Sequence, residues 1–183
     1  MTTDPTFAEA LIIVDVQRGF LEGPKAIPEA GRLVDRLSRL LGSARHAGAL
    51  VVHLQNDGAP GAVDEPAAPG WELSLTPVES ANEVVIRKST DDGFAGTGLG
   101  DLLDARGVRR IVVGGLLSQM CVSATARAAL ARGFAVVVPR DAHGTYDLED
   151  IPAAVVARVA EHALGDEPEL VESADVGFMA PSK

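Results

Sequence analysis

The chain alternates short, continuously apolar runs with longer segments whose apolar residues recur at helical spacing. Strands are predicted over 10–15, 49–54, 83–88, 109–113 and 135–139, each built on aliphatic and β-branched residues. Runs of this kind suit strands covered on both faces of a parallel sheet. Ala30, Leu33, Val34, Leu37, Leu41 and Ala44 mark one face of a helix over 28–47, with Pro28 at its start and Gly48 past its end. Further helices are predicted over 99–106, 118–132 and 152–164, the last two stopped by Gly133 and Gly165. Residues 169–172 are expected to form an edge strand. Strand–helix alternation predicts an α/β protein with a three-layer Rossmann-like fold, in which a central, mainly parallel sheet of about six strands carries helices on both faces. A single domain over 1–183 is expected from the length.

Three polar connections interrupt this pattern. Residues 55–79 hold several prolines and glycines and the sole tryptophan, Trp71, which could line a pocket or anchor the loop. Residues 89–100 contain Gly96-Thr-Gly98, which lacks the spacing of a phosphate-binding loop and is read as a turn with Thr97 capping the next helix. Residues 140–147 form the third.

Composition narrows the partners. Sixteen basic and 26 acidic side chains leave a net charge of −10, which argues against nucleic acid and anionic membranes. A cationic small molecule would suit it, although an acidic surface also serves solubility alone. One cysteine excludes an internal disulfide and fits a reducing cytoplasm. No basic-then-apolar leader is visible at the N-terminus. No apolar run approaches the roughly 20 residues of a membrane span.

Candidate chemistry collects at strand ends. Asp15 ends the first strand and Lys88 the third. Cys121 follows the fourth strand, the glycines Gly114 and Gly115, and the potential helix cap Ser118. In a parallel sheet these positions converge on one crevice. The glycines are expected to relax the backbone where the strand ends. A thiol in a first helical turn is expected to have a lowered pKa, with Asp15 to take its proton and Lys88 to keep Asp15 charged. A lone cysteine is also often a small core residue.

Val14-Asp-Val-Gln-Arg-Gly-Phe20, the lysine of Val85-Ile-Arg-Lys88, and Gly114-Gly-Leu-Leu-Ser-Gln-Met-Cys-Val122 together resemble the three signature blocks of the isochorismatase-like cysteine hydrolases, in the family's order over nearly the whole chain. The resemblance implies Asp15 as base, Lys88 as its electrostatic partner and Cys121 as nucleophile. It also implies a non-proline cis bond at Leu116–Leu117, with the Leu117 and Cys121 N–H groups as oxyanion hole. The cysteine favours amide or other C–N hydrolysis over vinyl-ether cleavage. The metal motif of the nicotinamidases is replaced by His53-Leu-Gln-Asn-Asp57, so neither a catalytic metal nor another cofactor is expected. Pro69-Gly-Trp-Glu72, Phe94-Ala-Gly-Thr97 and Asp141-Ala-His-Gly-Thr-Tyr-Asp147 are most similar to the streptothricin-hydrolase branch, whose substrate is a cationic lactam. Phe20, Trp71, Phe94, Ser118 and Tyr146 are the candidate substrate contacts. The resemblance implies a homodimer or higher homo-oligomer, and the 55–79 loop is long enough to reach a neighbour. Other small-amide or ureide hydrolases of the family, of carbamoylsarcosine or nicotinamide type, remain open. So do a redox sensor using Cys121 and a non-catalytic binding module.

Overall fold

The register of neighbouring strands decides where the candidate residues meet. The computed structural model describes residues 6–182. Its central sheet runs β4 (Glu83–Lys88), β3 (Leu50–Asn56), β2 (Ala10–Val14), β5 (Arg110–Leu116), β6 (Ala135–Pro139), β8 (Glu169–Val171), all parallel. A two-residue strand, β7 (His143–Gly144), pairs with the end of β5. Val14 lies opposite Leu54 on one side and Gly115 on the other, and Asn56 lies opposite Lys88. Asp15, Lys88 and the turn after Leu116 therefore emerge at the same C-terminal edge, where open α/β sheets build their sites.

Every residue of β2 is buried, as its unbroken apolar run requires. Side chains alternate between two cores. On one face Leu11, Ile13, Val51, Val112 and Val137 pack with Leu33, Leu37, Leu40, Leu41 and Ala44 of α2 (Ala30–Ala47). On the other, Ile12, Val14, Val52, Leu54, Ile111 and Val113 meet α3 (Leu99–Ala105) and α4 (Ser123–Ala131). This is the expected three-layer arrangement. Further along, α5 (Ala153–Ala163) packs over β7 and the turn after β5. Among the described residues no helix is long and apolar enough to cross a membrane.

The departures from expectation lie at the edges. A short helix, α1 (Arg18–Leu21), follows β2, and β1 (Thr6–Ala8) pairs with β9 (Val176–Phe178) in a separate small sheet. These pieces are too short to show a period. Gly114 and Gly115 do not mark a turn: β5 runs through them to Leu116. They are needed for close approach. A Cβ on Gly115, at φ 124°, would stand 2.1 Å from the Val14 carbonyl oxygen, and one on Gly114 would stand 2.7 Å from that of Ala142. The segment expected as one helix over 118–132 is broken: a turn over Ser118–Val122 is kinked at Met120, whose φ −111°, ψ −105° is non-helical, and α4 follows. Ser118 does not cap it.

Candidate active site

Asp15 is held in the left-handed region at φ 51°, which turns its carboxylate off the end of β2 into the sheet edge. Such a conformation costs an L-residue about 1 kcal/mol and persists where the surroundings impose it. Here the Asp15 N–H donates to Leu54 O and the Asp15 carbonyl accepts from Gln17 N–H. Lys88 Nζ, wholly buried, donates to Asp15 Oδ2 at 2.8 Å, to Thr90 O at 3.1 Å and to Asn56 Oδ1 at 3.4 Å. Asp15 Oδ1 is buried and accepts no hydrogen bond of ordinary geometry. Its neighbour in space is the half-buried Cys121.

The electrostatics differ from the expectation for a helix-start thiol. Burial pushes the Cys121 thiol well up, and the Asp15 charge pushes it further, against the pull of Lys88. Burial also raises Asp15 above the ordinary carboxylate value, with Lys88 and the thiol opposing. Cys121 lies just after the kink at Met120, at the entry to α4, and burial is the largest influence on its thiol. Both shifts favour the protonated forms of the two groups. The thiol donates to a second carboxylate, Asp91 Oδ1, at 3.4 Å.

A hydrogen-bonded frame fixes the 55–79 loop against this edge. Gln17, fully buried, donates from Nε2 to Asn56 O and Trp71 O, and its Oε1 accepts from Asn56 N–H. Gln55 Nε2 also donates to Trp71 O. The Trp71 indole donates to Asp57 Oδ1 at 2.9 Å and lies under Arg87, whose guanidinium carbon is 5.1 Å from the ring centroid. Trp71 thus anchors the loop. Asn56 Nδ2 donates to the buried Asp64 at 2.6 Å, so Asn56 links Lys88 to Asp64. Sequence reasoning missed Gln17, Asn56, Asp64 and Asp91. Gln17 alone carried a signal, as part of the first signature block.

The other candidates separate. The Leu116–Leu117 bond is cis, and the Leu117 carbonyl accepts from Met120 and Val122 N–H groups at the turn that carries Cys121. Phe20 and Tyr146 are half-buried against the α2-side core. Tyr146 is raised by burial and by the charge of Asp64, so it stands near the acidic edge. Phe94, a candidate pocket wall, is 5% exposed, stacks on Phe134 at 6.1 Å and lies under Arg132. Ser118, a candidate substrate contact, is also buried. It is 2% exposed, and its hydroxyl bonds His143 Nδ1 at 2.9 Å, with His143 Nε2 3.5 Å from Glu161. Thr97 is not the cap expected: Gly98 holds that position without a side-chain bond, and Thr97 Oγ1 accepts from Leu99 N–H at 3.3 Å from one residue before it. His53 points into the core against Glu83, and among the described residues no three His, Cys, Asp or Glu side chains gather as metal ligands. A cavity of about 540 Å3 lies between the start of α2 and α5, and Asp15 and Cys121 do not line it.

Comparison with known proteins adds three findings. Residues 9–165 match the isochorismatase domain family. Two streptothricin hydrolases of Streptomyces noursei are 58% and 54% identical to the chain, covering 94% and 97% of it. The chain spans 66% of the length of the first and 76% of the second. A crystal structure of an isochorismatase from Pseudomonas putida KT2440 superposes with a TM-score of 0.87 at 30% identity, over 95% of this chain and 93% of that one.

Proposed function

The chain belongs to the isochorismatase family, and from that premise we propose that it is a cysteine-dependent hydrolase of a non-peptide C–N bond in a small amide or lactam. The observation that carries this reading is the Asp15 carboxylate, clamped by buried Lys88 on one oxygen and open on the other beside the only thiol in the chain. In the proposed reaction Asp15 Oδ1 takes the Sγ proton as the sulfur attacks the carbonyl carbon. The resulting oxyanion rests on the Leu117 and Cys121 N–H groups. Asp15 returns the proton to the leaving nitrogen, the C–N bond breaks, and a thioester remains on Cys121. Water, losing a proton to Asp15, then cleaves the thioester to a carboxylic acid, and the proton goes back to sulfur.

Lys88 stabilises the ionised Asp15 at the start of each half-reaction. No step calls for a metal. Likeness to the two streptothricin hydrolases supports a cationic lactam of that type as substrate, and the acidic composition agrees with it. The chemistry suits the reducing cytoplasm, where a lone thiol stays free. A hydrolysis screen over cationic lactams, neutral amides and ureides, with Cys121→Ala as control, tests the reading. Turnover by wild type and none by Cys121→Ala is expected. Undiminished turnover by Cys121→Ala would overturn it.

A further inference from the structure

Asp91 has no part in the mechanism above, yet its carboxylate accepts a hydrogen bond from the thiol. Cys121 Sγ donates to its Oδ1 at 3.4 Å, and Asp91 is exposed. Among the described residues no lysine or arginine pairs with it. A second carboxylate stands on the Asp15 side. Asp64 is 5% exposed, and one oxygen accepts from Asn56 Nδ2. Among the described residues no donor bonds its other oxygen and no cation pairs with the group, although its charge reaches both Asp15 and Tyr146. Gly58 leaves the room this carboxylate occupies, since a Cβ there would stand 2.1 Å from Oδ1. The cation at the centre, Lys88, is already committed to Asp15, Thr90 O and Asn56.

The Asp15 and Asp91 charges thus act on the Cys121 thiol and that of Asp64 on Asp15, with the one ammonium, Lys88, bonded to Asp15, where the proposed thiolate and oxyanion would form. Each surplus negative charge opposes both species. A carboxylate buried without a counter-ion is itself costly. The arrangement becomes favourable when the missing positive charge arrives with the substrate.

We infer that Asp91 is a specificity-determining residue: it holds the Cys121 thiol in the free enzyme and exchanges it for an ammonium or guanidinium group of the substrate, with Asp64 as the buried counter-charge on the Asp15 side. The inference rests on Cys121 being the nucleophile and deepens that reading by naming what selects the substrate. A neutral amide would leave the thiol engaged by Asp91. A cationic one would neutralise the field at the moment the sulfur must lose its proton.

The test pairs one hydrolysable lactam bearing a free amine with its N-acetylated, neutral counterpart. Wild type is expected to prefer the cation in kcat/KM. Asp91→Asn should lose about tenfold of that preference, the scale of one charge-assisted hydrogen bond, through KM for the cationic substrate. Its Cys121 should also react faster with neutral iodoacetamide at pH 7. Asp91→Glu should restore most of the preference, which a purely structural role would not require. An Asp91→Asn enzyme with the wild-type ratio of cationic to neutral kcat/KM would overturn the inference. Turnover by Cys121→Ala would instead overturn the nucleophile assignment, so the two failures are distinguishable.

Discussion

β4 carries a buried charged cluster at each end, and the two are built to opposite purposes. At the N-terminal end Glu83 receives four donors: Arg45 Nε and Nη2, His53 Nε2 and the Val78 N–H. Burial alone would raise its pKa, but the Arg45 and His53 hydrogen bonds outweigh it and hold the carboxyl below its ordinary value. At the C-terminal end Lys88 gives Asp15 one short hydrogen bond, Asp15 Oδ1 is left open, and burial wins, so that carboxyl is raised. Both clusters hold a basic residue against a buried acid. What differs is the number of donors given to each carboxylate. A saturated carboxylate is a structural ion. An under-supplied one next to a thiol is a base waiting for a proton.

The comparison fails if the two ends can be exchanged in their effects. The largest expected effect is at the Asp15 end. Cys121→Ala or Asp15→Asn should lower kcat by about 10⁴-fold, while Cys121→Ala shifts the thermal midpoint by no more than a few degrees, as calorimetry would record. Lys88→Met comes next. Without its ammonium Asp15 rises further, so the acid limb of kcat/KM should move to higher pH and kcat at pH 7 should fall about 10²-fold. A limb that stays in place would show that Lys88 does not tune Asp15.

Glu83→Gln should do the reverse. It should cost about 3 kcal/mol of stability in a denaturant titration, because Arg45 and His53 lose their charged partner. The kcat of the folded fraction should stay within about twofold of wild type. The smallest effect concerns His53, whose pKa is lowered from 6.5 by burial. The unfolded chain takes that proton first, so its contribution to stability is full above about pH 6.5 and falls as pH drops below it. Glu83, held below 4.5, adds a further loss once pH passes beneath that value. His53→Gln should flatten the first part of this acid decline by about 1 kcal/mol or less.

Legibility in the sequence followed the same division. Strands 10–15 and 135–139 were readable because residues buried on both faces must be apolar throughout, the edge strand 83–88 because of its Val84-Val-Ile86 run, and the end of an apolar run marks where a chemical group can emerge. That placed Asp15, Lys88 and Cys121 on one edge before any coordinates. Pairings across long separations were not readable. Nothing local ties Gln17 to Trp71, Asn56 to Asp64 or Asp91 to Cys121, since loop paths bring them together. Phe94 sits in a glycine-rich polar turn, and nothing local there shows its stacking partner Phe134, forty residues on. The thiol was misjudged for a different reason. A helix-start rule supplied one electrostatic contribution, while burial and two carboxylates, visible only in three dimensions, act in the opposite direction.

The most direct test of the central claim is intact-protein mass spectrometry of an acid-quenched single turnover with a hydrolysable lactam. The account predicts an adduct equal to the ring-opened acyl group, on the peptide containing Cys121, cleaved by hydroxylamine and missing from Cys121→Ala. Complete hydrolysis at wild-type rate with no adduct on Cys121 at any quench time, and with Cys121→Ala equally active, would contradict it.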